Sequence, residues 1–437
     1  MIKTETKDEV RKMRKTNMRI FPMYDKIAGD YLFYYTVDFL FLTQIKHISA
    51  AEVVLVSSIK SLFGIFLQIP SNIIVEFLGR KNSIVLGNIL KCLYMVMFMA
   101  SGNLVDLIFA TFVSSLAKSI TSIAEPSLLN ESIPPSKYKS NIFAKISSNG
   151  KSGYYLVGAI SRLIAGFLFE INGYLPTICS LVVLIIVTIM SIGFVEPVNT
   201  KRTNIKEINI GKEIKNIEEG FKFVVKSTRL QALILAASLV TSLLNILLNY
   251  QTNTLQYIGI PASLVGTLAA IFALSSAYAS KKQKQFQDRF GNKSIITLAL
   301  MASISTIIAG IASLSKNVFL LSIIVISISF ILARFAHGMF YTIIDKYFRN
   351  FTNKDIDTKV FAVKNLFVNI VSATIGFFAS FLLGKMEICY CMIIIGIMFT
   401  ITYIILAKYM RTRVGLEPKE YSKEERKYDE LKLIEKS

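Results

Sequence analysis

Long runs of apolar residues recur along the chain, separated by short polar and basic stretches. Two of these runs, residues 181–195 and 391–407, carry no charged side chain. A helix needs about 20 mostly apolar residues to cross the hydrocarbon core of a bilayer. Because backbone groups in lipid must be hydrogen-bonded within the segment, such runs predict membrane-spanning α-helices.

The pattern predicts twelve spans, and therefore an all-α membrane protein with twelve transmembrane helices. A soluble protein with buried helices is the alternative, and it would have to bury every one of these runs. The predicted spans are residues 27–45, 52–77, 83–101, 103–128, 141–170, 174–195, 230–255, 261–280, 294–315, 317–343, 359–384 and 388–408.

Composition and charge agree with this topology. The chain has 437 residues, of which 53% are hydrophobic and 18% are charged, and its net charge is +20. If the N-terminus is cytoplasmic, 39 of the 49 Lys and Arg residues fall in cytoplasmic segments or at the cytoplasmic ends of spans, and three fall in outer loops. Basic residues resist translocation, so both termini are expected in the cytoplasm. The excess charge faces anionic lipid headgroups, and no nucleic-acid partner is needed to explain it.

The spans divide into two sets of six. We expect a cytoplasmic N-terminal segment over residues 1–26, six-helix bundles over 27–198 and 230–408, a cytoplasmic linker over 199–229, and a charged cytoplasmic tail over 409–437.

The linker contains apolar residues at spacings of three and four, which is one face of a helix. They are Ile210, Ile214, Ile217, Phe221 and Val225. Lysines and glutamates occupy the other face, so we expect an amphipathic helix along the inner membrane surface.

The second and third spans of each set are joined by related stretches. One begins GRKNSIVLG at Gly79 and the other begins GNKSIITL at Gly291. The same offset of 212 residues aligns Glu76 with Asp288 and Lys81 with Lys293. A six-span unit used twice, about an axis normal to the membrane, places a transported substrate between the two copies.

These loops resemble the signature of the major facilitator superfamily of secondary transporters. In that signature a Gly and an acid precede a second Gly and a basic pair. Here Asn72 replaces the first Gly, Glu76 replaces Asp, and Phe77 replaces a basic residue. The resemblance implies the major facilitator fold of two six-helix bundles and rocker-switch alternating access. It also implies that Glu76 lies near the start of span 11 and that Arg80 pairs with Glu131.

The resemblance thus implies a cytoplasmic gating set in and beside the two loops. Its members are Glu76, Gly79, Arg80, Lys81, Glu131, Asp288, Arg289, Gly291 and Lys293. Ordinary positive charge at cytoplasmic loops is the alternative interpretation of the basic residues.

Ionisable residues inside the spans point to function, because placing a charge at mid-bilayer costs at least about 2.5–3.5 kcal/mol. Asp38 is the acid deepest in an apolar span, and Glu125 lies nearer the cytoplasmic end of span 4. Both are candidates for proton coupling. A structural ion pair of Asp38 with Lys60 or Lys118 is the alternative, as is a packing or gating role for Glu125. Lys91 is expected to extend its ammonium to the membrane surface.

Polar residues on the spans that line the cavity of the resembled fold are candidate substrate contacts. They are Tyr34, Lys60, Lys118, Arg162, Asn245, Asn249, Arg334, His337 and Lys364. The basic members would bind an anionic group or pair with the intramembrane acids. His337 follows Arg334 by three residues and shares its helix face.

The sequence carries no catalytic triad, metal cluster or cofactor fingerprint, so we expect a transporter rather than an enzyme, without cofactor or metal. We expect proton-coupled export of drug-like or amphipathic small molecules. Proton-coupled uptake of an anionic metabolite is the alternative, and a non-transporting membrane receptor is a third class. The expected partners are a small-molecule substrate, protons and the lipid bilayer, for a monomer in a bacterial plasma membrane.

Overall fold

The computed structural model describes residues 7–134, 139–196, 210–314, 319–352 and 354–411, and these are almost entirely helical. The prediction of an all-α membrane protein is confirmed. The first helices are α1 (Lys7–Ala28), α2 (Asp38–Leu40, continued by a π-helical turn over Phe41–Ile45), α3 (Ala50–Phe66), α4 (Gln68–Leu78), α5 (Arg80–Ala100), α6 (Leu104–Ser132), α7 (Lys139–Ile171) and α8 (Leu175–Ile192).

The later helices begin with α9 (Ile210–Lys226), which lies within the predicted linker. They continue with α10 (Thr228–Tyr257), α11 (Ala262–Phe290), α12 (Ser294–Leu314), α13 (Phe319–Asn350), α14 (Lys354–Leu383) and α15 (Ile388–Arg411). A single 3₁₀ turn, Gly291–Lys293, separates α11 from α12.

Ten helices within the described ranges are long and apolar enough to cross a bilayer. Helices α3 and α4 together pass the same test and are bent by 55° at Leu67. Pro70 explains the bend, because its ring displaces the carbonyl of Phe66 and it has no N–H to donate. These elements correspond to predicted spans 2 to 12.

The first predicted span, residues 27–45, is not one continuous helix. Helix α1 ends at Ala28, the chain turns over residues 29–37, and helical structure resumes at Asp38. Phe33 has a φ of +66°, which is uncommon for a residue with a side chain. The prediction is wrong here because an apolar run shows which residues avoid water, not whether the backbone between them stays helical.

Helix α1 is part of the bundle core, although most of it lies in the segment predicted to be cytoplasmic. Phe21, Tyr24 and Ala28 are buried at spacings of three and four, which defines one face of the helix. They pack in one apolar cluster with residues of α6 and α8, including Ile120 and Val187.

The chain forms two compact units. Unit 1 comprises Met1–Ser49, Leu62–Ile210 and Ala262–Ala270, and unit 2 comprises Ala50–Ser61, Gly211–Pro261 and Ile271–Ser437. The beginning of α3 therefore belongs to unit 2, and the beginning of α11 belongs to unit 1. The two six-helix bundles remain a prediction from the sequence.

Within unit 1, α7 and the beginning of α11 meet through glycines. A Cβ on Gly266 would lie 2.9 Å from the Cα of Gly166, and a Cβ on Gly166 would overlap the carbonyl oxygen of Ala262. One turn further along α7, the Glu170 carboxylate accepts a hydrogen bond from the backbone N–H of Ser263 at 2.8 Å. Small residues permit this close approach, and the carboxylate satisfies an N–H at the start of α11.

Within unit 2, the beginning of α3 meets α14 in a similar way. The hydroxyl of Ser380 donates a hydrogen bond to the carbonyl of Ala51 at 2.7 Å. A Cβ on Gly376 would overlap the hydroxyl of Ser58.

We expect Gly166→Ala to lower the thermal unfolding midpoint in detergent, because its methyl group would push against the backbone of α11. Overpacking of this kind costs about 1–3 kcal/mol. Gly102→Ala is the matched control, since its methyl would lie 3.8 Å from the nearest atom, Oδ2 of Asp106. Equal midpoints for the two variants would contradict the contact between α7 and α11.

Candidate functional site

The GRK stretch at Gly79 forms the start of α5 around a carboxylate. The backbone N–H groups of Arg80 and Lys81 donate to Oε1 and Oε2 of Glu196 at 2.6 and 2.8 Å. The first N–H groups of a helix have no helical acceptor and favour an anion. Gly79 has a φ of +82°, and a Cβ there would lie 2.6 Å from the same carboxylate. A side chain at this position would therefore prevent the contact.

The ion pair expected between Arg80 and Glu131 is present, with Nε and Oε1 3.2 Å apart. Its gating role remains a prediction. Glu196 is the residue of this site that the sequence analysis did not select, although it closes predicted span 6 at the same membrane side as Gly79. Glu76 is exposed at the end of α4.

In the second copy of the motif, a glycine with positive φ again lies between two helices. Gly291 ends α11 with a φ of +55°, and α12 follows directly after the 3₁₀ turn. Asp288, Arg289 and Lys293 are exposed around it. Since Gly79 and Gly291 both adopt positive φ at the aligned position, the internal repeat extends from the sequence to the backbone.

Glu125 belongs to a polar network inside unit 1. Its Oε1 accepts a hydrogen bond from the Tyr24 hydroxyl at 2.8 Å, and Asn88 Nδ2 donates to that hydroxyl at 2.9 Å. The Lys91 ammonium attracts the Glu125 carboxylate electrostatically and donates to the carbonyl of Ala28 at 3.2 Å. Buried charges are tolerated where they are paired and hydrogen-bonded in this way.

Lys91 does not extend to the membrane surface as expected, because its side chain is buried at 7% exposure. Helix α1 stops at Ala28, so the carbonyls of its last turn lack helical donors. The Lys91 ammonium satisfies one of them. The sequence analysis missed this role because it did not predict the break that creates it.

Tyrosines fill the space around the break in span 1. The hydroxyl groups of Tyr34 and Tyr94 are hydrogen-bonded to each other, and Tyr31 is hydrogen-bonded to Ser114 at 3.0 Å. Tyr34 is therefore buried among other rings. The Asp38 carboxylate accepts the N–H of Phe39 at 2.8 Å at the start of α2.

A small cavity in unit 1 separates the broken segment from α7. It holds about 10 Å³, which is room for about one water molecule. Its lining residues are Tyr31, Leu32, Phe33, Tyr35, Thr36, Tyr154, Gly158, Ser161 and Arg162.

The Tyr154 hydroxyl links two opposite charges beside this cavity. It donates to Oδ2 of Asp30 at 3.3 Å, and the Arg162 side chain hydrogen-bonds to the same hydroxyl. The Tyr35 hydroxyl also hydrogen-bonds to Asp30. Among the residues that the structure describes, the buried Thr36 hydroxyl has no hydrogen-bond partner.

A second cavity of about 10 Å³ lies within unit 2 and includes Arg334 and His337. Arg334 Nε donates to Oε1 of Gln251 at 2.9 Å. His337 packs edge-on against the Tyr341 ring. The remaining lining residues are Leu244, Leu247, Leu248, Phe330 and Ala333.

Other predicted cavity residues have protein partners. Lys364 pairs with Asp345 at 2.8 Å and lies 4.4 Å from the centre of the Phe361 ring. Asn249 accepts the Ser57 hydroxyl at 3.3 Å and donates to the carbonyl of Asn245 at 3.4 Å.

The last two predicted cavity lysines differ in their exposure. Lys118 is exposed on α6, and Lys60 is half-buried on α3.

The linker helix α9 docks on the beginning of α14. Glu219 forms an ion pair with Lys359, and the hydrogen bond and positive charge of Lys359 hold the pKa of Glu219 below its ordinary value. A Cβ on Gly220 would lie 2.6 Å from the carbonyl oxygen of Lys359, and the Phe221 ring stacks 6.4 Å from that of Phe367. Phe221 remains 47% exposed, so part of this helix is open to a membrane surface.

Apolar helices around buried ionisable groups, with one span broken beside them, define a membrane transport protein. The family model of the Major Facilitator Superfamily matches residues 27–298 and 254–435. The chain belongs to that superfamily, as the signature loops indicated.

Solved structures of transporters share the fold. A variant of the nucleoside transporter NupG is 12% identical, with 92% of this chain and 99% of that chain covered and a TM-score of 0.69. A bacterial homologue of the human lysosomal transporter Spinster is 15% identical, covering 94% and 98%, with a TM-score of 0.66. A D-xylose–proton symporter is 13% identical, covering 92% and 98%, with a TM-score of 0.65. No curated protein matches the sequence significantly.

We expect Glu196→Gln to destabilise the protein by about 1 kcal/mol or more, because it weakens a charged cap on two N–H groups of α5. Glu76→Gln is the matched control, since Glu76 lies in the same loop region and is exposed. Thermal unfolding in detergent measures both. A Glu76→Gln variant as unstable as Glu196→Gln would show that loop charge in general, rather than the cap, is responsible.

The docking of α9 is expected to depend on pH. Because the folded-state pKa of Glu219 is depressed, its ion pair is complete above pH 4.5, the ordinary value, and is lost as the pH falls through the folded value. The chain contains no Trp, so Phe221→Trp provides a single fluorescent reporter. In a Lys359→Gln background, the pH midpoint of the emission change should rise towards 4.5, the ordinary pKa of Glu. An identical midpoint in both backgrounds would contradict the ion pair.

Proposed function

We propose that the protein is a proton-coupled secondary transporter that moves a small molecule by rocker-switch alternating access. The observation that carries this proposal is Glu125, a carboxylate bonded to Tyr24 inside unit 1 and attracted by Lys91. Carboxylates inside membrane spans commonly act in proton relays of transporters. Asp38, at the start of α2, is the second candidate for coupling.

Through Lys91, protonation of Glu125 can affect the end of α1. When Glu125 is ionised, its carboxylate attracts the Lys91 ammonium, which also holds the last carbonyl of α1. When Glu125 binds a proton, this attraction is lost and only the bond to Ala28 remains. The protonation state of Glu125 thereby acts on the end of α1, where span 1 is broken. A ligand that prefers one arrangement shifts the population between the two states.

Two substrate classes are proposed, and the preferred one is given first. Export of drug-like, amphipathic compounds follows from the superfamily resemblance. Uptake of an anionic metabolite is the second, because Arg162 and Arg334 each line a cavity in their own unit. That a D-xylose–proton symporter shares the fold supports proton-driven uptake as a use of this architecture.

In either direction, these cavities must enlarge when a substrate binds, since each now has room for about one water. The positive-inside charge distribution supports cytoplasmic termini, and we propose a monomer in the plasma membrane of a bacterium.

Proton flux in everted membrane vesicles tests this function. A substrate chosen by a thermal-shift screen should release protons from acid-loaded everted vesicles if the protein exports it. We expect Glu125→Gln and Asp38→Asn each to reduce this release at least about tenfold. Uptake predicts instead that substrate carries protons into right-side-out vesicles.

Asp106→Asn is the matched control, because Asp106 is an exposed acid at the start of α6 whose carboxylate accepts the backbone N–H of Gly102 at 3.1 Å. It should preserve the proton flux. Substrate flux without any proton movement would overturn proton coupling, and binding without flux in either vesicle orientation would favour a receptor.

A further inference from the structure

The break in span 1 is a place where the chain can bind a polar ligand at membrane depth. Non-helical backbone in a transmembrane segment persists only where protein covers it or where it lines a cavity. Residues 29–37 line the small cavity of unit 1 through Tyr31, Phe33 and Thr36. The break therefore exposes polar groups to a site that a continuous helix would not possess.

Opposite charges flank this cavity. Asp30 lies on the broken segment and Arg162 lies on α7, and both contact the hydroxyl of Tyr154. The carboxylate and the guanidinium are thus linked through one hydroxyl, and that hydroxyl belongs to a residue that lines the cavity.

The Thr36 hydroxyl is an independent reason to place a polar ligand here. Its side chain lines the same cavity and is 1% exposed, yet among the described residues its hydroxyl has no hydrogen-bond partner. A buried hydroxyl without a partner is costly. A polar ligand in the cavity would supply the partner.

Aromatic rings cluster at the Asp30 end of the site. Tyr31 and Tyr35 have ring centres 5.9 Å apart, and both line the cavity with Tyr154. Aromatic faces beside a carboxylate attract organic ammonium groups. The Arg162 end instead presents a guanidinium, which matches a carboxylate in charge and shape.

We propose that this cavity is a substrate site for a small zwitterion that carries an ammonium and a carboxylate. Asp30 and the surrounding tyrosines take the ammonium, Arg162 takes the carboxylate, and Thr36 bonds to the ligand between them. The ligand replaces the Tyr154 hydroxyl as the link between the two charges. This assignment rests on the proposed transport function. At this site it replaces the anionic metabolite of that proposal with a zwitterion.

Ligands with one charge fit less well. A lipophilic cation would leave Arg162 beside a like charge, and a simple anion would face Asp30 in the same way. A neutral compound that displaced the Tyr154 hydroxyl would offer no opposite charge to either Asp30 or Arg162. Only opposite charges at the two ends satisfy both side chains.

A matched set of probes tests the charge requirement. The purified full chain is heated with α-amino acids and, separately, with the amines and the carboxylic acids obtained by removing one charged group from each. We expect at least one amino acid to raise the unfolding midpoint while both of its single-charge analogues do not. Asp30→Asn and Arg162→Gln should each weaken that binding at least about tenfold, since each removes a charged hydrogen-bond partner.

Asp106→Asn and Arg19→Gln are the matched controls, because both residues are exposed in unit 1 away from the cavity. They should retain wild-type binding. A stabilising analogue that carries only one charge, or the same affinity in Asp30→Asn as in the wild type, would overturn the proposal. So would a panel in which no amino acid shifts the midpoint.

If the Asp30 and Arg162 variants fail to fold, binding can be measured with a fluorescent variant that keeps both charged residues. Phe33→Trp places the single Trp of the chain in the cavity wall and leaves Asp30, Arg162, Thr36 and the tyrosines of the site unchanged. Its emission should respond to the amino acid and not to either analogue. The binding measurement does not require a proton gradient, so the two proposals can fail separately. Binding of a zwitterion without proton-coupled flux would refute only the transport mechanism. Proton-coupled flux of another compound, without amino-acid binding, would refute only this site.

Discussion

The bond from the Lys91 ammonium to the carbonyl of Ala28 connects the features on which this protein depends. A helix that stops inside a bundle leaves carbonyls without donors, and in lipid such groups are costly. Lys91 satisfies one of these carbonyls and attracts Glu125, so the buried charge and the backbone break compensate each other. Removing the ammonium would leave both the carbonyl and the carboxylate poorly satisfied. The same pairing places an ionisable acid where its charge acts on the first span.

The loops around this network are held by carboxylates at helix starts. Glu196 binds the first N–H groups of α5, and Glu170 binds one at the start of α11. In both places a glycine makes room: Gly79 beside Glu196, and Gly166 one turn before Glu170. Each contact uses the positive end of a helix and a close backbone approach. These anchors join elements far apart in sequence without requiring large buried apolar surface between them.

Much of the fold could be predicted from the sequence, since the lengths of apolar runs reflect bilayer thickness and the Lys and Arg distribution reflects orientation. The matching glycines at 79 and 291 could be predicted as well, because a repeated motif carries them. The pair of Arg80 with Glu131 was implied by the resemblance to the superfamily. The break at residues 29–37 could not, since it is stabilised by residues distant in sequence, Lys91 above all. The roles of Asp30 and Thr36 depend on that break, so the sequence analysis passed over them in favour of Tyr34 and Asp38. Lys364 was predicted to contact the substrate, but its ammonium pairs with Asp345 on the neighbouring helix, nineteen residues earlier in the chain. The sequence analysis did not pair these two residues.

Hydrogen exchange of the backbone over residues 29–37, measured by mass spectrometry across a pH series, tests the link between Glu125 and the broken span most directly. If the charge on Glu125 acts through Lys91 on the end of α1, the protection of this segment, which is its deuterium uptake corrected for the intrinsic exchange rate at each pH, should change with pH in the wild type. The change should be absent in Glu125→Gln, which holds the side chain neutral, and in Lys91→Met, which removes the connection. The same pH-dependent protection in all three proteins would contradict the coupling, because the break would then respond to some other group.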